Sequence, residues 1–257
     1  MIQAADVGVG IVGKEGRQAS LAADFSIEQF HHLTKLLVWH GRNSYKRSAK
    51  LAQFVIHRGL IIAVCQTMYS IAIRFEPEGL YKDWLLVGYA TCYTMMPVLS
   101  LVLDKDVDEE LANLYPELYK ELTSGRSLSY RTFFVWVLVS VYQGGIIQGL
   151  SQILTGNKMD KKMVAVSFTV LVLNELIMVA IEITTWHFVM IVSIVGTFLI
   201  YIASLPFLGD YFDLEFILSW GFLWRVLAIG SISLIPPYVV KVIIRALKPP
   251  SYRKVQG

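Results

Sequence analysis

Leu51-Ala52-Gln53-Phe54-Val55-Ile56-His57-Arg58-Gly59-Leu60-Ile61-Ile62-Ala63-Val64-Cys65 runs on with the same apolar character to Arg74, where Phe75-Glu76-Pro77 closes it. About 20 apolar residues wound as a helix are as long as the hydrocarbon core of a bilayer is thick. His57 and Arg58 stand a third of the way in. A basic pair at that depth faces either lipid, which is costly, or a polar cavity, so function is expected near it.

The remainder of the chain repeats the pattern. With 55% hydrophobic and 17% charged residues and a mean hydropathy of +0.53, the 257 residues exceed what a soluble globule carries and fit several membrane-spanning helices. Six crossings are expected, at 51–74, 84–103, 132–154, 163–183, 187–208 and 214–235. The fold class is therefore all-α and integral to the membrane. Cys65 and Cys92 lie inside apolar runs, which points to packing residues and not to a disulfide or zinc framework. The first residues lack the basic start and apolar core of a cleavable signal.

Residues 1–50 precede the first crossing. Asp6-Val7-Gly8-Val9-Gly10-Ile11-Val12-Gly13 reads as the end of a strand and a glycine turn whose spacing coincides with G-x-G-x-x-G. A nucleotide fold needs a full strand before the glycines, a helix after them and an acidic residue about 20 positions on, so the match is weak. Phe25–Trp39 has helical apolar spacing. His31 and His32 point about 100° apart on such a helix and cannot share a metal-ligand face. Arg42, Lys46, Arg47 and Lys50 then read as anchors at an anionic leaflet.

Between the second and third crossings lies the polar loop Asp104–Arg131, acidic at its start (Asp104, Asp106, Asp108, Glu109, Glu110) and basic at its end (Arg126, Arg131). Lys and Arg near the membrane number fourteen on the side of this loop and the two termini, against Arg74, Lys82, Lys158, Lys161 and Lys162 on the other. The positive-inside rule then makes both termini cytoplasmic, with Lys158–Lys162 accounted for only by snorkelling at the interface. Pro236-Pro237 is expected to break the last helix and leave Val239–Leu247 as a short basic piece on the membrane surface.

The polar groups expected inside the membrane are His57, Arg58, Asn174, Glu175 and Arg225. Helix rise puts Arg58 and Glu175 at similar depth, with Arg225 competing for the same carboxylate. The pairing either fixes helix register or lines a polar path. Met95-Met96-Pro97 interrupts the second crossing beside Thr91 and Thr94. The carbonyls freed there are available to a substrate head group or to those two hydroxyls. Gly145-x-x-x-Gly149 with Gly144 permits close helix packing, and Gln143 and Gln148 are placed to hydrogen-bond between helices.

Several strings carry a family resemblance. Met1-Ile2-Gln3-Ala4-Ala5-Asp6-Val7-Gly8-Val9-Gly10-Ile11, Glu15-Gly16-Arg17-Gln18-Ala19 and Ala23-Asp24-Phe25 resemble the hinge end of the phosphorylation domain of P-type ATPases of the phospholipid-flippase branch. Val38-Trp39-His40-Gly41-Arg42 and Tyr45-Lys46-Arg47 resemble the stalk that follows. Phe54-Val55-Ile56-His57-Arg58-Gly59, Tyr115-Pro116-Glu117-Leu118-Tyr119-Lys120 and Pro249-Pro250-Ser251-Tyr252 look most like the Golgi and endosomal members that work without an accessory subunit. Arg58 stands where most members have lysine and Ala90 where they have asparagine, while Thr94-x-x-Pro97 and Glu182 with Trp186 are retained.

The resemblance implies the C-terminal six of ten membrane helices, with 1–24 ending a phosphorylation domain, 25–50 a stalk, 51–248 the membrane domain and 249–257 a cytosolic tail. It implies ATP-driven movement of aminophospholipid to the cytoplasmic leaflet along a path through His57, Arg58, Thr91, Thr94, Pro97, Asn174 and Glu175. ATP and Mg2+ serve the intact protein. The aspartate that takes the phosphoryl group has no counterpart among these residues, so the chain reads as a C-terminal piece, with Met1 internal, that holds neither and is inactive alone. Implied partners are phospholipid, the membrane and the upstream part of the polypeptide, with no nucleic acid. The reading from another class is a six-helix channel, scramblase or scaffold.

Overall fold

The computed structural model describes residues 1–14, 17–123, 128–156 and 160–248. Glu15, Gly16, Arg126, Lys158 and the tail 249–257 named above lie outside them. Two compact units emerge: Met1–Lys46 with Lys105–Gly125, and Arg47–Asp104 with Arg126–Gly257.

In the first unit, β1 (Val9–Ile11) pairs in parallel with β2 (Phe25–Ile27), joined through helix α1 (Gln18–Ala22). Gly8 and Gly10 serve this packing. A Cβ on Gly8 would sit 2.6 Å from the Ile2 side chain, and one on Gly10 would sit 2.9 Å from the Ser20 backbone. Phe25–Ile27 is thus a strand, against the expected helix over Phe25–Trp39. The Asp24 carboxylate accepts the Gly8 N–H at 2.8 Å and helps seat the strand. Helix begins only at α2 (His32–Lys35) and passes through a π-helical turn, Leu36–Gly41, into α3 (Arg42–Ala72). Later in the unit come α6 (Glu109–Leu114) and α7 (Lys120–Thr123).

Arg42 is buried, not displayed to a leaflet. Its guanidinium donates to Asp106 at 2.9 Å, to the Leu118 carbonyl at 2.5 Å and to Glu121 at 3.1 Å. The acidic start of the long loop folds onto the basic flank and neutralises it, a pairing that counting charges by segment does not reveal.

The second unit holds the membrane bundle. Among the described residues six helical segments are long and apolar enough to cross a bilayer: His32–Ala72, Asp83–Leu103, Tyr130–Thr155, Lys161–Glu182, Phe188–Leu208 and Trp220–Leu247. The second comprises α4 (Asp83–Gly88), a π-helical turn at Tyr89–Tyr93 and α5 (Met95–Ser100). The others contain α8 (Tyr130–Thr155), α9 (Lys161–Glu182), α10 (Phe188–Ser204) and α12 (Trp220–Leu247), with the short α11 (Leu214–Ile217) before the last. The apolar window of α9 is 78% buried, against 17% for those of the Phe188–Leu208 and Trp220–Leu247 segments. Helix α9 is the hub on which the bundle packs. Gly144 of α8 provides the close approach to α3, where an added Cβ would meet Val64 at 2.8 Å, while Gly145 of the G-x-x-x-G pair faces open space. Cys65 is buried, as expected, but Cys92 is exposed.

The expected break at Pro236-Pro237 does not occur, since α12 continues to Leu247. Each proline removes an N–H from the ladder and orphans the carbonyl four residues back. Those carbonyls belong to Ile232 and Ser233. Tyr142 OH donates to Ile232 O at 2.8 Å and Gln143 Nε2 to Ser233 O at 3.3 Å. Two consecutive α8 side chains supply what the prolines removed, which is how such residues are tolerated in lipid.

Candidate functional site

The polar groups at mid-depth divide between two clusters. The first sits at the interruption of the second crossing. Thr94 leaves helical geometry (φ −135°, ψ −16°), its hydroxyl donates to the Tyr89 carbonyl, and it accepts from Arg58 Nη1 at 3.3 Å. Tyr89 OH in turn donates to the Arg58 carbonyl at 2.8 Å. The guanidinium is half-buried and tied at one nitrogen, which leaves its other donors for an anion. Pro97 is buried one turn further on, and Thr91 is exposed, bonded back to Val87 O at 2.6 Å.

The second cluster is fully enclosed. His57 Nε2 lies 3.2 Å from Glu175 Oε1, and His57 Nδ1 lies 2.7 Å from Ser140 Oγ. Both His57 and Glu175 are buried to within 1% of complete enclosure. Next to them Asn174 Nδ2 donates to Gln143 Oε1 at 3.2 Å and Ser233 Oγ to Asn174 Oδ1 at 3.2 Å. Trp136 closes one side, its ring centroid 5.5 Å from that of His57.

The partner of Glu175 is therefore His57, and neither of the arginines expected to compete for it. Adjacent residues on a helix diverge by about 100°, so when His57 faces α9 its neighbour Arg58 faces the second crossing. Arg225 is displaced because Ser219 caps a new helix starting at Trp220, only five residues before it and not eleven. It donates to Gly221 O at 3.1 Å and stacks on Trp224 at 5.0 Å and Phe216 at 5.5 Å.

A third node, passed over in the sequence, gathers on Asp104 at the end of the bundle that bears Lys50. The Asp104 carboxylate accepts from Lys50 Nζ at 2.8 Å, from the backbone N–H of Thr185 at 2.8 Å and Thr184 at 3.2 Å, and from Thr184 Oγ1 at 3.0 Å. Burial raises the carboxyl pKa, but the Lys50 ammonium and the two N–H groups outweigh it and hold the group below the usual carboxylate range. Lys50 also donates to Glu182 O at 2.8 Å, and Glu182 pairs with Lys241 at 2.8 Å. Asp104 reads as one of five acids in a loop, and only its place at the end of a crossing hints at this role.

A bundle of six apolar helices that encloses polar and ionisable groups defines a multipass membrane protein. The chain belongs to the phospholipid-translocating P-type ATPase C-terminal family, whose model matches residues 20–250. It is 64% identical to phospholipid-transporting ATPase NEO1 of Saccharomyces cerevisiae, over all of this chain and 22% of that relative. Identity is 56% with probable phospholipid-transporting ATPase IIB of Danio rerio, over all of this chain and 23% of the relative. It is 54% with phospholipid-transporting ATPase neo1 of Schizosaccharomyces pombe, over all of this chain and 25% of the relative. The chain thus spans about a quarter or less of the length of the curated relatives it matches.

Proposed function

We propose that this chain forms the C-terminal six-helix part of the membrane domain of an ATP-driven flippase, one that moves aminophospholipid to the cytoplasmic leaflet of Golgi or endosomal membranes. Residues 1–24 would end a phosphorylation domain, 25–50 form the stalk, 51–248 the membrane domain and 249–257 a tail, with both termini cytoplasmic and no accessory subunit required. ATP and Mg2+ would act on parts of such a pump that have no counterpart here. No Asp-Lys-Thr-Gly-Thr run occurs in the sequence, so no phosphoryl-transfer step is assigned to its residues.

The observation that carries the reading is Arg58 at the interrupted helix. Its guanidinium is fastened to Thr94 by one nitrogen, beside backbone that Pro97 keeps out of regular helix. A planar fork with spare donors matches a phosphate, and a head group there would keep its acyl chains in lipid. Movement of the stalk would tilt α3 and shift Arg58 against Thr94, opening or closing the path. His57, Thr91, Asn174 and Glu175 would line or brace the same route.

The test is Arg58→Ala in the intact transporter. Loss of a charge-assisted contact to phosphate, about 1.5–3 kcal/mol, lowers lipid transport about tenfold or more while phosphorylation by ATP remains measurable. Unchanged transport removes Arg58 from the path.

A further inference from the structure

We propose that His57, Glu175 and Ser140 form a proton-binding site in the middle of the bundle, with one added proton shared by the His57–Glu175 couple. The charge balance of this enclosed cluster points to it, whatever route a lipid takes.

Ser140 has a single hydroxyl hydrogen, with Trp136 O 2.8 Å away on the same helix and His57 Nδ1 2.7 Å away as its two acceptors. Given to Trp136 O, it leaves Nδ1 to donate to Ser140; given to Nδ1, it leaves the ring hydrogen on Nε2. In either tautomer a neutral imidazole has one ring hydrogen and brings no positive charge to the carboxylate beside it. Nε2 lies 3.2 Å from Glu175 Oε1, out of line for a donated bond. A carboxylate enclosed there with no cation against it is costly unless the couple takes up a proton.

Among the described residues no neighbour offers the carboxylate a donor or a positive charge. His57 Nε2 and both Glu175 oxygens are fully buried without a hydrogen-bond partner, the 3.2 Å approach being close enough for an ion pair but not aligned as a donated bond. The amides beside the carboxylate are committed elsewhere: Asn174 to Gln143, and Gln143 to Met178 Sδ at 3.4 Å and Ser233 O at 3.3 Å. Ser233 donates to Asn174 and shares its hydroxyl with Gly230 O. Among other ionisable groups, Arg58 turns to Thr94 and Arg225 to Gly221 O. Cys65 and Tyr89 lie in electrostatic range of Glu175, but each is a weak acid and brings no positive charge. Among the described residues no three His, Cys, Asp or Glu side chains converge to hold a metal ion, so the ligand that fits is a proton. With it the couple is neutral overall, written either as imidazolium facing carboxylate or as imidazole accepting from a carboxylic acid. Without it a bare carboxylate is buried in lipid, at a cost of several kcal/mol.

The experiment is infrared difference spectroscopy of the intact transporter in lipid nanodiscs, wild type against Glu175→Gln, in H2O and D2O at neutral pH. The expected result is one deuterium-sensitive signal present in wild type and lost in the variant, either a carboxylic C=O stretch or an imidazolium ring mode. A second variant, His57→Gln, is expected to show the C=O stretch of a neutral Glu175, because the proton then has only the carboxyl to occupy. Carboxylate bands with a neutral imidazole in wild type, or an ionised Glu175 in His57→Gln, would overturn the proposal. Histidine 15N NMR of wild type decides the same question without a variant: a His57 Nε2 neither protonated nor hydrogen-bonded sinks it.

Discussion

Asp104 and Glu175 are both buried carboxylates in the same bundle, and they live by opposite rules. Asp104 is met by an ammonium, two backbone N–H groups and a hydroxyl. Glu175 is met by one ring nitrogen at 3.2 Å and accepts no hydrogen bond from the described residues. A fully satisfied buried charge fixes structure, whereas a half-satisfied one is a place where something can bind or leave. Asp104 ties the end of the second crossing to α3 and to the turn after α9. Glu175, about 10 Å deeper along α9 than Glu182, has no such anchor.

The largest expected effect of the contrast is on stability. Asp104→Ala strips Lys50 of its carboxylate and leaves the Thr184 and Thr185 N–H groups unpaired, a loss of about 3 kcal/mol measurable as a lowered thermal midpoint in nanodiscs. Acid should act on the same group. A carboxyl held below its usual range stabilises the fold above the ordinary carboxylate pKa, about 4, and loses that contribution as pH falls through its own lower value. Wild type should therefore weaken on acidification below about pH 4, and Asp104→Ala should lack that part of the slope. Glu175→Gln, by contrast, replaces a carboxyl group that no described residue serves with a hydrogen bond, lets the proton leave with it, and is expected to change stability by less than about 1 kcal/mol, or to raise it. Equal losses in the two variants would erase the distinction between an anchor and a binding site.

The sequence exposes these two groups unequally. Glu175 is conspicuous because a charge inside an apolar run breaks a strong pattern, and helix rise alone brings it level with His57 and Arg58. Which of them it meets depends on helix rotation, which the run's uniform hydrophobicity leaves undetermined. The six crossings are equally plain, since each is a long apolar stretch. Asp104 hides among the loop acids because its donors are backbone N–H groups 80 residues away, and backbone leaves no mark in composition. Arg42 misleads for a related reason: a lysine or arginine looks the same whether it faces a leaflet or a buried carboxylate.

The same accounting governs the prolines of α12 and gives the smallest test. Tyr142 and Gln143 serve carbonyls that Pro236 and Pro237 orphaned, so the helix runs straight through a sequence that reads as a stop. Tyr142→Phe leaves Ile232 O without its donor and should cost about 1 kcal/mol of stability. Pro236→Ala returns a backbone N–H at the position that would bond Ile232 O, so in that background the loss of the Tyr142 hydroxyl should cost much less. A double-mutant cycle in nanodiscs reads the difference as a coupling energy. If the two changes simply add, the hydroxyl is not what carries α12 past its prolines. The contrast between served and unserved acceptors would then hold for the carboxylates alone.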